Sequence, residues 1–271
     1  MEAKTKPRRA KITNMLPQVV HDIVSESHEA LMKGRIPDGV LPYLYEQRGL
    51  KKQTLKLFDI GFCDASFERK INKSYYDGES PRMPFPYGRY IRDRIIVPIK
   101  DDFGKLVSFA TRPVGSGGGW WNFPFKKGNC LFGLNFSRSK CFDQNKMYLV
   151  EGYFDVIVLF QEGLRNVACP MGTRFSLVQT GLVLRYCNKI CLCFDTDPLS
   201  ENGSPGAGQR AMLRILSDDA VKSILKITTI KLPVGVDPDE FVLSSDLGIT
   251  NLLRLEGTPI EVEGIIYGDK R

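Results

Sequence analysis

The residues of this chain best suited to chemistry are carboxylates that come in pairs. "LVEGYFDV" holds Glu151 and, one helical turn on, Asp155; "CFDTDP" holds Asp195 and Asp197; "LPVGVDPDEF" holds Asp237 and Asp239. Asp195 and Asp197 have no Lys or Arg beside them, and like charges that close repel unless they share a proton or face a cation. Each acid alone has an ordinary reading: Asp155 as a solvated helix residue, Asp237 as a turn former ahead of Pro238, Asp239 as a helix N-cap. Three pairs gathered at one edge are different, because in a cleft of low effective dielectric they destabilise one another by several kcal/mol. A divalent ion relieves that repulsion. Oxygen donors without His or Cys select a hard ion, Mg²⁺ or Mn²⁺. Such an ion polarises a phosphoryl group and activates an attacking hydroxyl or water, so the class of chemistry is phosphoryl transfer.

The elements that must position these acids alternate. "KMYLV", "NVACP", "KICLCF" and "LKITTIKLP" read as strands, and "GYFDVIVLFQEG", "SLVQTGLVLRYC" and "GAGQRAMLRILSDD" as the helices between them. Near-continuous apolar strands separated by helices predict an α/β unit, a mostly parallel sheet with helices on both faces. Ligands of such sheets sit at the carboxyl ends of the strands, where all three acid pairs fall. Upstream, residues 17–33 have helical periodicity, and "VLPYLYEQRGLKKQTLKLFDIGFC" suggests two short helices and a strand. Residues 65–90 read as a long loop, and "RIIVPIKDDFGKLVSFATRP" as a hairpin turning at Asp-Asp-Phe-Gly.

Composition narrows the class. The chain has 271 residues, 42% hydrophobic and 25% charged, as in globular proteins, and no apolar run approaches the ~18 residues of a membrane span. The N-terminal "MEAKTKPRRAKITNMLPQ" has no apolar core of a secretory signal; its basic cluster reads as a solvated tail in preference to a nucleic-acid arm. Seven cysteines without a CxxC pair point to buried free thiols in a reducing cytoplasm and to no zinc site. The two histidines, His21 and His28, are two helical turns apart, about 10.5 Å, too far to act on one atom. The net charge of +7 is uneven: residues 89–140 hold ten Lys/Arg against three Asp, residues 144–245 ten against eleven acids. A basic segment beside an acidic one suits a polyanion partner.

These blocks resemble a known family. Glu151 after one strand and Asp195-x-Asp197 after another resemble the TOPRIM domain, and "VEGYFDVIVLFQEGLRNVACPMGT", "ICLCFDTD" and "LPVGVDPDEFV" are similar to the corresponding blocks of DnaG-type bacterial and phage primases. "YLYEQRGLKKQTLKLFDIGF", "RDRIIVPIKDDFGKLVSFATRP" and "FKKGNCLFGL" resemble the N-terminal half of the same polymerase domain, in the same order. The likeness spans roughly residues 40–245, and a co-linear series of blocks is far more specific than one motif. It implies a Rossmann-like TOPRIM fold preceded by a smaller mixed α+β basic subdomain. The expected divisions are a basic tail and leader helix at 1–40, a nucleic-acid-binding subdomain at 41–143, the TOPRIM catalytic subdomain at 144–245 and a short tail at 246–271.

The resemblance implies that Glu151, Asp195 and Asp197 chelate the catalytic metals, with Asp155, Asp237 and Asp239 completing the site. Arg92, Arg94, Arg112 and Lys127 fall on the family's basic positions, implied to hold template and nucleoside triphosphate. Gly172 and Thr173 match its Gly-Thr turn. "GGWWNFP" stands where the family has Pro-Lys-Tyr, and Lys126 is the candidate to replace that lysine. "PLSENGSPG" is an extra loop after the acid pair. No counterpart of the family's zinc module or helicase-binding region is recognised. The expected activity is template-directed RNA primer synthesis on single-stranded DNA, with a helicase or a separate zinc module as further partners, in the cytoplasm of a bacterium or a phage-infected cell. Two rivals share part of the pattern: a TOPRIM phosphodiesterase, which needs neither Asp237-Pro238-Asp239 nor the basic blocks, and a non-catalytic nucleic-acid-binding replication factor. Trp120 and Trp121 offer stacking platforms for bases, although aromatics after a glycine run more often pack into a core.

Overall fold

A computed structural model describes residues 9–66, 88–115, 118–172, 174–198, 200 and 203–257, with only the backbone of 9–17. Most of the expected loop 65–90, and Thr173, lie outside the described residues. The chain forms two compact units that interleave in sequence: Met1–Tyr43, Leu55–Ile99 and Leu106–Phe125 in the first, Leu44–Thr54, Lys100–Lys105 and Lys126–Arg271 in the second. These limits fall elsewhere than 40/41 and 143/144: residues 44–54 and 100–105 belong to the second unit, and so do residues 126–143.

The first unit is a four-stranded sheet, β1 (Gly61–Cys63), β2 (Arg94–Lys100), β3 (Leu106–Pro113) and β4 (Trp121–Asn122), in that order. β2 and β3 are the expected hairpin; Asp101 closes its turn, its carboxylate accepting from the amides of Phe103 and Lys105. The long helix Arg9–Met32 covers this sheet. Val19, Val20, Ile23 and Val24, at helical spacing, pack on Cys63, Ile96, Phe109 and Phe123. His28 is half-buried, its Nδ1 2.8 Å from the Ile60 carbonyl, a structural contact. Trp121 stacks on Tyr90 (4.7 Å, 7°) and meets Phe123 edge-on, so it belongs to the packing of this unit.

The second unit is a five-stranded sheet ordered β6-β5-β7-β8-β9. β5 (Met147–Val150), β6 (Val167–Ala168), β7 (Lys189–Cys193) and β8 (Lys226–Ile230) run parallel, and β9 (Glu256–Gly257) closes the edge antiparallel. Met147, Leu149, Ile190 and Leu192 point to one face, where helices Leu134–Gln144, Leu177–Leu184 and Ala207–Leu216 cover them with Cys141, Val183, Met212 and Ile215. Helices Tyr153–Gln161 and Pro238–Leu243 pack against each other. The tail expected after 246 contains a helix, Gly248–Arg254, and also β9, which adds to the sheet. Glu256 accepts from Lys146, Tyr148 and Thr228, a half-buried network that a two-residue strand does not announce in sequence. Among the described residues no helix is long and apolar enough to cross a membrane.

Candidate active site

The strand order explains why the acids meet. The chain leaves β5 for β6 on one side, then crosses back to β7 on the other, so the C-terminal ends of β5 and β7 form a topological switch point, where open α/β sheets bind ligands. Val150 pairs with Cys193, so Glu151 and Asp195 follow the last residues of neighbouring strands. Asp237 and Asp239 follow β8 at the start of helix Pro238–Leu243, and the loop carrying them is tied back where the Gly235 amide donates to the Thr196 carbonyl (2.7 Å). Asp155 lies in the first turn of helix Tyr153–Gln161 and accepts from the Gly152 amide (2.8 Å).

The six carboxylates act on one another. Burial raises the Glu151 carboxyl above its ordinary range, with Asp197 and Asp237 adding to the shift. Asp195 is pushed up to about 8 by burial, then by Asp237, Glu151, Asp197 and Asp239. Asp155 rises well above the usual carboxylate range through burial, Asp239 and Asp195, and Asp237 rises through burial and Asp239. Glu151 Oε2 and Asp195 Oδ1 are buried and have no hydrogen-bond partner. Two orphaned carboxylate oxygens among mutually repelling acids fit a hard divalent cation in donor type and charge, although no three ligand-type side chains of the described residues are drawn to coordination distance in this conformation.

Close backbone approach makes the cluster possible. A Cβ on Gly208 would lie 2.5 Å from Glu151 Oε2 and 2.8 Å from the Asp195 carbonyl, and one on Gly206 would strike the Asp197 carboxylate. The "PGAG" turn is thus part of the site, whereas the sequence suggested only an extra loop running into a helix. Cys169 also escaped notice. Its thiol donates to the Glu151 carbonyl (2.8 Å) and accepts from the Met171 amide, which fixes the start of the Glu151 turn.

The basic candidates divide between the units. In the second unit Lys126 and Lys127 are exposed at the 3₁₀ turn Lys127–Asn129; partial desolvation lowers the Lys127 pKa, and Cys169 opposes that shift. Gly172 is exposed beside Met171, which has φ 62°. In the first unit Arg94 donates Nε to Thr111 Oγ1 (2.8 Å) and Nη2 to the carbonyls of Thr111 (3.2 Å) and Gly119 (2.9 Å). Arg112 lies 5.7 Å from the centroid of the Trp120 ring. Arg92 and Arg94, although two apart, do not share a strand face: β2 begins at Arg94, and Arg92 lies in the turn before it, separated by Asp93 at φ 53°.

The acids set a sign for stability against pH. A carboxyl whose folded pKa is raised contributes stability that is full below its unfolded pKa and lost as pH rises toward the folded value. For Asp195 that window runs from about 4 to about 8. Glu162 and Glu256, whose pKa values are lowered by Lys51 and Lys146, act oppositely, but only at and below their ordinary range. Metal-free protein is therefore expected to lose thermal stability between pH 5.5 and 8.5, and millimolar Mg²⁺ or Mn²⁺ to restore most of it at the upper end. Melting curves with chelator and with metal check this; a flat or rising Tm in chelator contradicts it.

A parallel sheet with this strand order and acids at its carboxyl edge defines a Toprim-like domain, and the family described as Toprim-like matches residues 148–242, which contain all six acids. The family described as DNA primase catalytic core, N-terminal domain, matches residues 27–138. A DNA primase of Aquifex aeolicus (strain VF5) is 29% identical over 242 residues, covering 84% of this chain and 46% of that primase. The crystal structure of the Aquifex aeolicus primase zinc-binding and RNA polymerase domains is similar with a TM-score of 0.73 at 25% identity, covering 96% of this chain and 65% of that one. A DnaG primase catalytic domain bound to ssDNA shares the fold, with a TM-score of 0.71 at 23% identity over 92% of this chain and 84% of that one. The chain thus carries, in order, matches to the N-terminal domain of the DNA primase catalytic core and to a Toprim-like domain, and it is similar to DnaG-type primases across both. It spans less than half the length of the first curated primases it matches, 46% and 36%.

Proposed function

We propose that this chain is the catalytic core of a DNA primase, making short RNA primers on single-stranded DNA by nucleotidyl transfer. The observation that carries the reading is the convergence of the six acids at one sheet edge, with two orphaned buried oxygens among them. In this reaction a nucleotide 3′-hydroxyl oxygen bonds to the α-phosphorus of an incoming ribonucleoside triphosphate. The bond from that phosphorus to the α,β-bridging oxygen breaks, the hydroxyl proton is lost to water, and pyrophosphate leaves. Bound Mg²⁺ or Mn²⁺ supplies the positive charge that the phosphates and attacking oxygen need. Glu151, Asp195 and Asp197 hold it, and Asp155, Asp237 and Asp239 complete the acidic set. No side-chain nucleophile is required.

The cations supply the polyanion partners. Lys126, Lys127 and the Gly172-Thr173 turn serve the triphosphate; Arg92, Arg94 and Arg112 serve the template, with Trp120 as a stacking surface. A replicative helicase and a zinc-binding module supplied by another segment are the expected partners, in a bacterial or phage-infected cytoplasm. Arg94→Ala is expected to lower single-stranded DNA affinity roughly two- to fivefold and to flatten the salt dependence by about one unit of slope. It should also lower Tm, since three hydrogen bonds are lost. Fluorescence anisotropy over a salt series reads both binding effects, and unchanged affinity and slope would remove Arg94 from the template surface.

The deciding assay for the activity combines the protein with single-stranded DNA, labelled ribonucleotides and Mg²⁺ or Mn²⁺. Oligoribonucleotide product supports the reading. Shortened template would point instead to a phosphodiesterase, and neither product to a non-catalytic binding protein.

A further inference from the structure

A segment far upstream of the first acid is built into the acidic unit. Gln161, the last residue of the Asp155-bearing helix, accepts from the Lys51 amide (2.7 Å) and the Thr54 hydroxyl (2.7 Å) and donates to the Gly49 carbonyl (2.9 Å). The Lys51 ammonium pairs with Glu162 at 2.8 Å. On its other side the segment meets the Asp239-bearing helix: Gly49, at φ +61°, has the Leu243 side chain where a Cβ would stand, 2.6 Å away. Residues 49–54 thus tie together the C-terminal ends of the two helices whose first turns carry Asp155 and Asp239.

Arg48 directly precedes that segment. Its guanidinium carbon lies 5.1 Å from the centroid of the Phe154 ring, in the first turn of the Asp155-bearing helix. Phe154 directly precedes Asp155 in that turn, so the contact sets the Arg48 charge beside the start of the acid-bearing helix. A planar guanidinium held on an aromatic face is a fixed cation.

We propose that Arg48 is an electrostatic positioning residue of the acidic site, weakening its hold on a bare divalent ion and strengthening its hold on the ion's complex with a triphosphate. The bare ion is repelled by a nearby positive charge. The ion–triphosphate complex carries net negative charge and is attracted by it. The arrangement favours arrival of metal and nucleotide together. This inference rests on the nucleotidyl-transfer reading of the same acids.

The test measures Mn²⁺ binding by electron paramagnetic resonance, alone and with a non-hydrolysable ribonucleoside triphosphate, for the wild type, Arg48→Gln and Arg48→Lys. Arg48→Gln is expected to bind free Mn²⁺ roughly three- to tenfold more tightly and the Mn²⁺–triphosphate complex more weakly by a similar factor. Arg48→Lys keeps the charge and should return both affinities most of the way. A purely structural role moves the two affinities in the same direction or not at all. If the wild type binds Mn²⁺ but Arg48→Gln leaves both affinities unchanged or weakens both, or if Arg48→Lys fails to restore them, the role of Arg48 is overturned and the metal reading stands. If the wild type binds no Mn²⁺, the metal reading falls and this inference with it.

Discussion

Asp195→Asn is expected to reduce oligoribonucleotide synthesis at least a thousandfold while raising the thermal stability of the metal-free protein at alkaline pH. Both effects come from the same atoms. Asp195 Oδ1 is buried without a partner, and its carboxyl is pushed up to about 8 by burial and four neighbouring acids. At pH 8.5 and without metal, that charge is held against desolvation and repulsion at a cost of a few kcal/mol. The amide is nearly isosteric and uncharged, so it relieves this cost, and Tm should rise by roughly 2–4 °C per kcal/mol regained. The same change removes an anionic oxygen from the metal-binding set. Loss of one charged ligand from a site that works by electrostatic stabilisation removes most of the rate. Synthesis is read with labelled ribonucleotides, stability by melting in chelator. Retained synthesis would remove Asp195 from the metal assignment; lowered stability at pH 8.5 would contradict its strained charge.

Gly208→Ala is expected to cost roughly a hundredfold in synthesis, although it adds only a methyl group to a helix start. The new Cβ would lie 2.5 Å from Glu151 Oε2 and 2.8 Å from the Asp195 carbonyl. The second contact is with backbone, so the turn cannot simply close over it. Either the Glu151 carboxylate swings away or the helix Ala207–Leu216 moves outward, and a shift of about 1 Å at a reacting centre costs ~10²-fold. Gly181→Ala provides the control, since a Cβ there meets nothing within 4 Å, and alanine favours the helix Leu177–Leu184. Parallel rates for the two variants would show that the close packing around Glu151 has no bearing on the chemistry.

What the sequence made legible follows from range. β5 and β7 are short apolar runs bounded by polar residues, each followed by acids, so their place at one carboxyl edge could be read from local pattern alone. The acids stood out because nothing nearby in sequence neutralised them. The parts that were not legible depend on contacts between distant segments. Gly206 and Gly208 read as the end of a loop and the start of a helix until the Asp197 and Glu151 carboxylates are seen against them. Cys169 looked like another buried thiol, and only the fold brings its Sγ to the Glu151 carbonyl. Gln161 read as a helix end, yet it joins residues 49–54 to the acidic unit. A spacing of two, as between Arg92 and Arg94, fits one strand face, but the left-handed Asp93 between them ends the turn before the strand begins.

The family matches cover the fold and the order of its blocks; the chemistry requires something narrower, that acids following β5, β7 and β8 together bind hard cations. The most direct measurement is an anomalous-difference map from a crystal of the protein grown with Mn²⁺. Density is expected within coordination distance of Glu151 and of Asp195 or Asp197, lost in crystals of Asp195→Asn grown the same way. A clean map with no ion beside those carboxylates, at a Mn²⁺ concentration that supports synthesis, would contradict it.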